Sequence, residues 1–455
     1  MNRIIVIAAL LTALAFPVRG EDLLQTYERA LGHDARLREA QANLKAIREA
    51  QPQSLARLLP TLSIKGEMGR NSVRSSFQSS PSGLGSNPLV FFAGGANVDY
   101  WSSAASLNLR QPIYHPEYWM QLNLANKQIA EAEANFAAEQ QGLIKRTVEA
   151  YFEIMYAFDS LESFQHERDA LTSKLEMARA RYDAGLAAIT DVHEAEAAYH
   201  QARTQLIRGE NQLQDTLANL ELITGQPPGT LYRLRDDLLL NAPHPEHSEE
   251  WVEFAQKNNP GLLAAATHIE ALRQRIDQNQ TGHLPTLDLV GTAGFTDNNR
   301  PYGIATEFQT IAMQLTIPVF EGGGVTSRVR QARYEYEAGQ EHLDGTRQTV
   351  IRDVRVAYRG VLSAISQIEA LKATLKSAQS ALEAAETGLE VGNRTMVDVL
   401  SEQAQVFKAQ REYARARYDY ILSQFRLKWA SGVLTSGDLL SVNQGLIRDH
   451  QIHDK

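Results

Sequence analysis

The sequence contains no cysteine. Disulfides, a thiol nucleophile and thiolate-bound zinc or iron–sulfur centres are therefore outside its chemistry. Long apolar runs are scarce as well: one, over residues 4–16, stands in a chain of mean hydropathy −0.33. A helical protein with several membrane spans needs repeated runs of about 20 apolar residues, so that class is excluded. A basic excess is also missing. Lys and Arg number 45 against 54 Asp and Glu, for a formal net charge of −9. Nucleic acids are bound through clustered Lys and Arg, so no nucleic-acid partner is expected.

Catalytic and metal signatures are missing too. No His-Glu-x-x-His or Gly-x-Ser-x-Gly occurs, and the 12 histidines are scattered. His244 and His247 fall in a linker, where a solvated loop competes with a metal site. His193 and His200 sit seven apart on one helix face, as surface or seam residues. Gly322-Gly323-Gly324 lacks the Gly-Lys-Ser/Thr of a nucleotide loop and reads as a flexible strand-to-helix turn. No cofactor, metal or enzymatic activity is expected.

At about 100–200 residues per domain, 455 residues allow two to four domains or one long repetitive body. The start reads as a secretory signal over residues 1–20. Met1-Asn2-Arg3 is basic, residues 4–16 are apolar, and Pro17-Val18-Arg19-Gly20 offers a cleavage site. The run is too short to span a bilayer, although an uncleaved anchor is the competing reading. No cysteine follows the cut, so a lipidated N-terminus is excluded.

Beyond the signal the chain repeats itself. Leu58-Leu59-Pro60-Thr61-Leu62 returns as His283-Leu284-Pro285-Thr286-Leu287, about 225 positions on. Gln111-Pro112-Ile113-Tyr114 returns as Ile317-Pro318-Val319-Phe320, about 206 on. Ala184-Gly185-Leu186 with Thr190-Asp191-Val192 returns as Val391-Gly392-Asn393 with Val397-Asp398-Val399, about 207 on. Ile223-Thr224-Gly225 and Ala430-Ser431-Gly432 keep that last offset. The change of offset leaves copy one about 19 residues longer within 71–97, a stretch rich in Ser, Gly, Pro and Asn. The copies cover residues 21–225 and 251–432, with a linker at 226–250 and a tail at 433–455.

Each copy carries a heptad seam. Leu122, Ile129, Phe136, Leu143, Ala150, Ala157, Phe164, Leu171 and Ala178 stand seven apart. Val329, Tyr336, Leu343, Val350, Ala357, Ala364, Leu371, Ala378 and Ala385 do the same in copy two. A seam this long predicts left-handed supercoiling of long helices. Residues 117–183 alone make about 100 Å of helix if unbroken, about three times a bilayer's hydrocarbon core. Gly142, Gly209, Gly345 and Gly360 lie inside these helices, as bends or close contacts.

Between the prolines the period falls to two. Alternation predicts strands at about 61–70, 98–111, 286–296 and 309–317, each with one apolar and one polar face. This is the pattern of a transmembrane β-strand, and also of half-buried hairpins in a water-soluble protein. Four strands cannot close a barrel, and open edges in lipid leave backbone groups unsatisfied. If the strands face lipid, other copies of the chain complete the barrel.

The turns at about 183–192 and 390–399 carry the polar residues of most interest. Gly185 and Gly392 end helices, and Thr190 or Thr395 is placed to cap the next one. Asp191 and Asp398 read either as first-turn acids favoured by the helix dipole or as carboxylates that symmetry multiplies into a ring at the narrow end of a tube. At these residues the chain resembles the TolC-type outer-membrane efflux proteins, the exit ducts of Gram-negative drug-efflux and type I secretion systems. The resemblance covers nearly the whole chain after the signal. It is carried by Gly-His-Leu-Pro-Thr-Leu-Asp-Leu from Gly282 and Val-Gly-Asn-Arg-Thr-Met-Val-Asp-Val-Leu from Val391.

The resemblance implies a mostly α fold with a small transmembrane β part. Duplicated halves, each a β-hairpin set between helices, would form a trimer. Its twelve-stranded β-barrel in the outer membrane would continue as a twelve-helix α-barrel in the periplasm, with a mixed equatorial region near residues 224–255 and after Val433. Implied partners are outer-membrane lipid, a periplasmic adaptor, and an inner-membrane transporter driven by ATP (the ABC type) or by protons. Arg394, Thr190 and Asp191 fall where the family ties neighbouring helices shut, and Asp398 at a pore-facing acidic ring. Gly185, Leu186, Gly392 and Asn393 would dock the adaptor. Two positions depart from the family pattern: Leu389 replaces a tyrosine and Ser401 an aspartate, so Glu390 and Glu402 are candidates to rebuild the network. The competing class is a secreted structural or adhesive coiled-coil protein without channel activity.

Overall fold

The computed structural model describes residues 21–74, 97–235, 237, 239–298 and 305–447. The expected signal at 1–20, most of the long hairpin tip within 71–97 and the last residues of the tail lie outside them. The chain divides into two compact units. One comprises Leu44–Ala132 and Ala265–Leu343; the other comprises the chain up to Asn43, Glu133–Ala264 and the chain from Asp344 on.

The first unit is built on a four-stranded antiparallel sheet of order β1-β2-β4-β5. β1 is Thr61–Arg74, β2 Asn97–Tyr114, β4 Thr286–Asn298 and β5 Thr306–Thr316. All four strands extend past the expected bounds at the hairpin tips: Arg74 still pairs with Asn97, Ser102 with Asn298 and Thr296 with Thr306. Ser, Asn and Arg at those ends give no apolar contrast, so alternation fades in the sequence while backbone pairing continues. Both hairpins share one register. Thr61 opposes Arg110 and Leu62 opposes Leu109; at the repeat-equivalent positions Thr286 opposes Thr316 and Leu287 opposes Leu315.

Because side chains alternate between faces, this register collects apolar residues on one side. Leu62, Ile64 and Met68 of β1 share it with Trp101, Leu107 and Leu109 of β2. Leu289 and Phe295 of β4 and Ile311, Met313 and Leu315 of β5 continue it. The opposite face carries Ser63, Lys65, Glu67, Asn108, Arg110, Asp288, Thr292, Thr310 and Gln314, interrupted by Val290 and Phe308. At the β2–β4 seam a bulge falls between Pro112 and Tyr114. Beside it the buried Asp288 carboxylate accepts from Arg110 Nη2 at 2.9 Å and from His115 Nε2 at 3.0 Å. His115 stacks on Tyr118 with centroids 4.5 Å apart. These contacts fix the corner where β2 turns into helix α4, Pro116–Asp183. On the other side of the sheet, Gly322 and Gly323 adopt positive φ in the turn leading into α8, Gly324–Glu390.

The second unit is helical. Its α1 is Leu23–His33, α5 Ile189–Thr224, α6 Ser248–Asn258, α9 Met396–Ala430 and α10 Gly437–Asn443. The duplication is metric: α4 and α8 have 68 and 67 residues, α5 and α9 have 36 and 35. Helices α2 (Ala35–Arg48), α4, α7 (Pro260–Gln280) and α8 contribute residues to both units, and α3 (Ala50–Ala56) belongs to the sheet unit. No residue of either heptad seam is exposed, as a shared helix–helix contact line requires. Of the four helical glycines singled out, Gly209 marks a close interhelical approach: a Cβ there would lie 2.8 Å from the Phe164 ring.

The largest core gathers where the linker and the tail return to the helices. Leu23, Tyr27, Tyr151, Phe152, Leu220, Trp251, Val361, Tyr420, Leu427 and Leu439 are buried together. Two-residue strands β3 (Arg233–Leu234) and β6 (Leu446–Ile447) pair antiparallel and tie linker to tail. Arg233 bonds both Asp159 and Glu162, and Asp159 also accepts from the Tyr418 hydroxyl at 2.6 Å. Burial pushes the Tyr418 phenol up, so it stays a donor.

Tyr151 is fully buried; its hydroxyl donates to the Tyr232 carbonyl at 2.9 Å and accepts from the Tyr232 N–H at 3.1 Å. Burial also pushes this phenol up. Removing the hydroxyl takes a partner from both backbone groups, at a cost of about 1–3 kcal/mol. Tyr151→Phe is therefore expected to lower the midpoint of thermal unfolding, followed by circular dichroism in detergent. An unchanged midpoint would remove the linker clasp from the stability of this unit.

Candidate functional site

The polar turns between α4 and α5 and between α8 and α9 form the candidate site, in the helical unit. Both turns have the same backbone. Gly185 and Gly392 have φ of 71° and 78°, a left-handed conformation that glycine alone adopts freely. The Leu186 N–H bonds the Arg181 carbonyl at 2.8 Å, and the Asn393 N–H bonds the Gly388 carbonyl at 2.8 Å. Each is the closing bond of a glycine-ended helix. The four turn residues Gly185, Leu186, Gly392 and Asn393 are exposed.

The next helices start differently. Thr395 caps α9 in a reciprocal box with Asp398. The Thr395 N–H and hydroxyl both lie 2.9 Å from Asp398 Oδ2, and Asp398 N–H returns to Thr395 Oγ1 at 3.3 Å. The expected cap by Thr190 is corrected: α5 begins at Ile189 with Ala188 as its cap residue and no side-chain bond. Ala188 is the repeat equivalent of Thr395, so Thr190 falls inside the first turn. Asp191 and Asp398 both occupy the third helical position, where the dipole favours a carboxylate.

The Thr395 backbone N–H and hydroxyl, helped by the nearby Arg394, hold the Asp398 carboxyl below its ordinary value of 3.8. Arg394 Nη1 lies 3.9 Å from Asp398 Oδ1. Asp191 and Thr190 have no side-chain hydrogen bond or ion pair among the described residues, and neither do Glu390, Ser401 and Glu402. Arg394 folds instead over Gly388, where a Cβ would lie 2.6 Å from Arg394 Cγ. Sequence reasoning missed Gly388; its signal is a second glycine in the last turn of α8, where copy one has Arg181.

Behind the turns an apolar cluster joins the helices. Leu171, Leu175 and Ala178 of α4 pack with Val192 and Ala195 of α5 and with Met396 and Leu400 of α9; Leu389 packs against them, half-buried. Lys174 bridges to Glu386 at 2.5 Å, linking α4 to α8. Farther along, Arg411 reaches Glu167 at 2.7 Å and Arg415 grips Glu153 with two bonds of 2.9 Å, linking α9 to α4. Among the described residues no helix is long and apolar enough to cross a membrane. The arrangement suits helix ends held together by small apolar contacts and a few ion pairs, with exposed turns.

The family model described as "Outer membrane efflux protein" matches residues 26–226 and 251–433. "Outer membrane protein TolC" of Vibrio cholerae serotype O1 is 34% identical over 445 residues, covering 97% of each chain. "Proteases secretion protein PrtF" of Dickeya chrysanthemi is 26% identical, over 92% of this chain and 90% of that one. In fold, the crystal structure of the outer membrane protein VceC of Vibrio cholerae superposes with a TM-score of 0.74 at 18% identity, covering 90% of this chain and 96% of that one. The chain belongs to the outer membrane efflux protein family, a family of channels, and is an exit duct seated in the outer membrane.

Proposed function

We propose that three copies of this chain assemble into one duct for a tripartite export machine. The observation that carries this is the four-stranded sheet with one mainly apolar face and two edges, β1 and β5, that have no strand partner among the described residues. A sheet whose apolar face meets lipid needs closure, and three copies supply twelve strands. The repeats at 21–225 and 251–432 then act as two half-ducts, joined by the linker at 226–250 and the tail from 433 on. The long helices make a periplasmic tunnel of twelve helices. A periplasmic adaptor docks on Gly185, Leu186, Gly392 and Asn393 and couples the duct to an inner-membrane transporter, of the ABC or proton-driven type.

In this reading Arg394, Thr190 and Asp191 hold neighbouring helices at the narrow end, and three Asp398 carboxylates form a ring there. Among the described residues of one chain the Asp191 and Thr190 side chains have no hydrogen bond or ion pair, which suits contacts made to a neighbouring copy. The family, named for efflux, and PrtF, named for protease secretion, support both modes of export, efflux and protein secretion. Cargo choice rests with the transporter.

Membrane fractionation, unheated gel electrophoresis and bilayer recording test the reading. The expected outcome is a heat-dissociable oligomer in the outer membrane with single-channel conductance. A soluble monomer without conductance would overturn it in favour of a secreted coiled-coil protein.

The ring has its own test. Asp398→Asn is expected to lower the cation-over-anion permeability ratio several-fold with the oligomer intact. Because the folded pKa is depressed, the charge and the cap it makes are present above the ordinary value of 3.8 and lost as pH falls through the lower folded value. Cation preference is therefore expected to hold between pH 7 and about 5. A preference unchanged in Asp398→Asn would remove the ring, and one lost by pH 5 would mean that the neighbouring carboxylates of the ring, not Thr395, set its charge.

Arg394 is tested through its packing. Arg394→Ala is expected to raise single-channel conductance. Gly388→Val, which displaces the Arg394 side chain, is expected to act in the same direction. Wild-type conductance in both variants would separate Arg394 from the closed state.

A further inference from the structure

The helical unit holds a cavity that the duct reading leaves unused. It lies between α4, α8 and α9, has a volume of about 290 Å³ and is walled by Val356, Ala357, Gly360, Trp429 and Ala430. That volume falls at the lower end of the range for small-molecule sites. Gly360 is the residue that opens it. This glycine marks no close contact: α8 continues through it, and nothing lies within 4 Å of the place that a Cβ would take. A glycine inside a helix costs stability relative to alanine, and here the missing side chain leaves a recess.

The duplication shows how unlike its counterpart this face of α8 is. Val356, Gly360 and Trp429 correspond to Glu149, Glu153 and Leu222, about 207 positions earlier, and Asp353 to Arg146. In copy one all three charged residues of α4 hold ion pairs: Arg146 with Asp34 and Glu139, Glu149 with Arg426, and Glu153 with Arg415. The seam alanine is kept in both copies, as Ala150 and Ala357. A helix face that is charged and paired in copy one is thus apolar and hollow in copy two. Val356 is 51% exposed and Trp429 37%, so the packing of the chain covers neither fully.

The polar groups at the rim are unequally matched. Arg426 meets Glu149 at 3.4 Å, and Asp353 accepts from its neighbour Arg352 at 2.7 Å. Ser423 donates to the Tyr420 carbonyl at 2.7 Å. Lys145, half-buried, has no carboxylate or hydrogen-bond partner among the described residues; its Nζ lies 4.1 Å from the centre of the Trp429 ring. We infer that the cavity binds a small amphipathic monoanion, its apolar body against Val356, Ala357 and Trp429 and its carboxylate or sulfonate on the Lys145 ammonium. A charge-assisted bond fixes the head, and withdrawal of the body from water supplies the remaining attraction. Asp353 and Glu149 disfavour a second negative charge, and Lys145 disfavours a cation.

Isothermal titration calorimetry of the detergent-extracted oligomer with naphthoate tests this, with protein-free micelles as the blank. Saturable binding is expected, and the neutral naphthamide is expected to bind at least about tenfold more weakly. Lys145→Gln removes the charge and Gly360→Leu fills the recess; each is expected to weaken naphthoate by at least about tenfold. Lys145→Arg keeps the charge and is expected to stay within a few-fold of the unsubstituted protein. A ligand that binds only the folded state stabilises it. Naphthoate is therefore expected to raise the midpoint of thermal unfolding of the unsubstituted protein and to leave that of Gly360→Leu unmoved. Unheated gels check that each variant remains oligomeric.

No saturable binding by the intact oligomer would overturn the inference, whether the cavity is idle or a neighbouring copy covers it. Equal affinities for naphthoate and naphthamide, or for the unsubstituted protein and Lys145→Gln, would overturn the assignment of an anion. Unchanged affinity in an oligomeric Gly360→Leu would place the binding elsewhere and overturn the site. Should Gly360→Leu fail to assemble, the contrast between Lys145→Gln and Lys145→Arg carries the test. The cavity lies within one chain, so its failure leaves the trimer reading standing.

Discussion

A peptide group placed in hydrocarbon has no water to bond, and each unsatisfied N–H or C=O costs several kcal/mol. That constraint organises this protein. Its membrane part is a sheet whose inner strands are paired on both sides and whose outer strands, β1 and β5, each pair on one side only among the described residues. Lipid leaves the other side of each unsatisfied. In the proposed trimer, strands from further copies of the chain satisfy it. A protein of formal charge −9 and low mean hydropathy is thereby consistent with the outer membrane: only alternate residues of four strands need face lipid, and an average over the sequence hides them.

The helices follow a different constraint. Long helices that share a contact line need an apolar residue every 3.5 positions, and small ones where they approach closely. Alanine at many seam positions and Gly209 against Phe164 meet that need. The ion pairs of Arg411 and Arg415 lie between α9 and α4, half-buried. Their energetic share is modest by the standard of exposed pairs; their geometry sets which helices are neighbours. The turns at Gly185 and Gly392 share a backbone yet differ in cap, so the two helix ends of one chain are not equivalent where an adaptor would meet them.

Much of this was legible in the sequence, because periodicity, duplication and turn glycines are local signals. The seams, the strand alternation and the glycine-ended turns each declare themselves within a short window. What was illegible depends on partners far apart in the chain. Asp288, Arg110 and His115 meet only once β2 pairs with β4, and neither histidine spacing nor charge pattern marks them. Gly388 matters because Arg394 folds back over it, a contact set by the turn. The cap expected of Thr190 failed by a matter of register: the helix begins two residues earlier, with Ala188 in the position that Thr395 holds in the other copy. Strand ends were underestimated where polar residues on both faces erased the alternation, although the backbone ladder continued.

The central claim is that the sheet is completed only by further copies of the same chain. Native mass spectrometry of the detergent-extracted protein addresses it most directly. The account predicts a single dominant species with the mass of three processed chains, retained at protein concentrations well below those of the membrane. A folded species with the mass of one chain would contradict it.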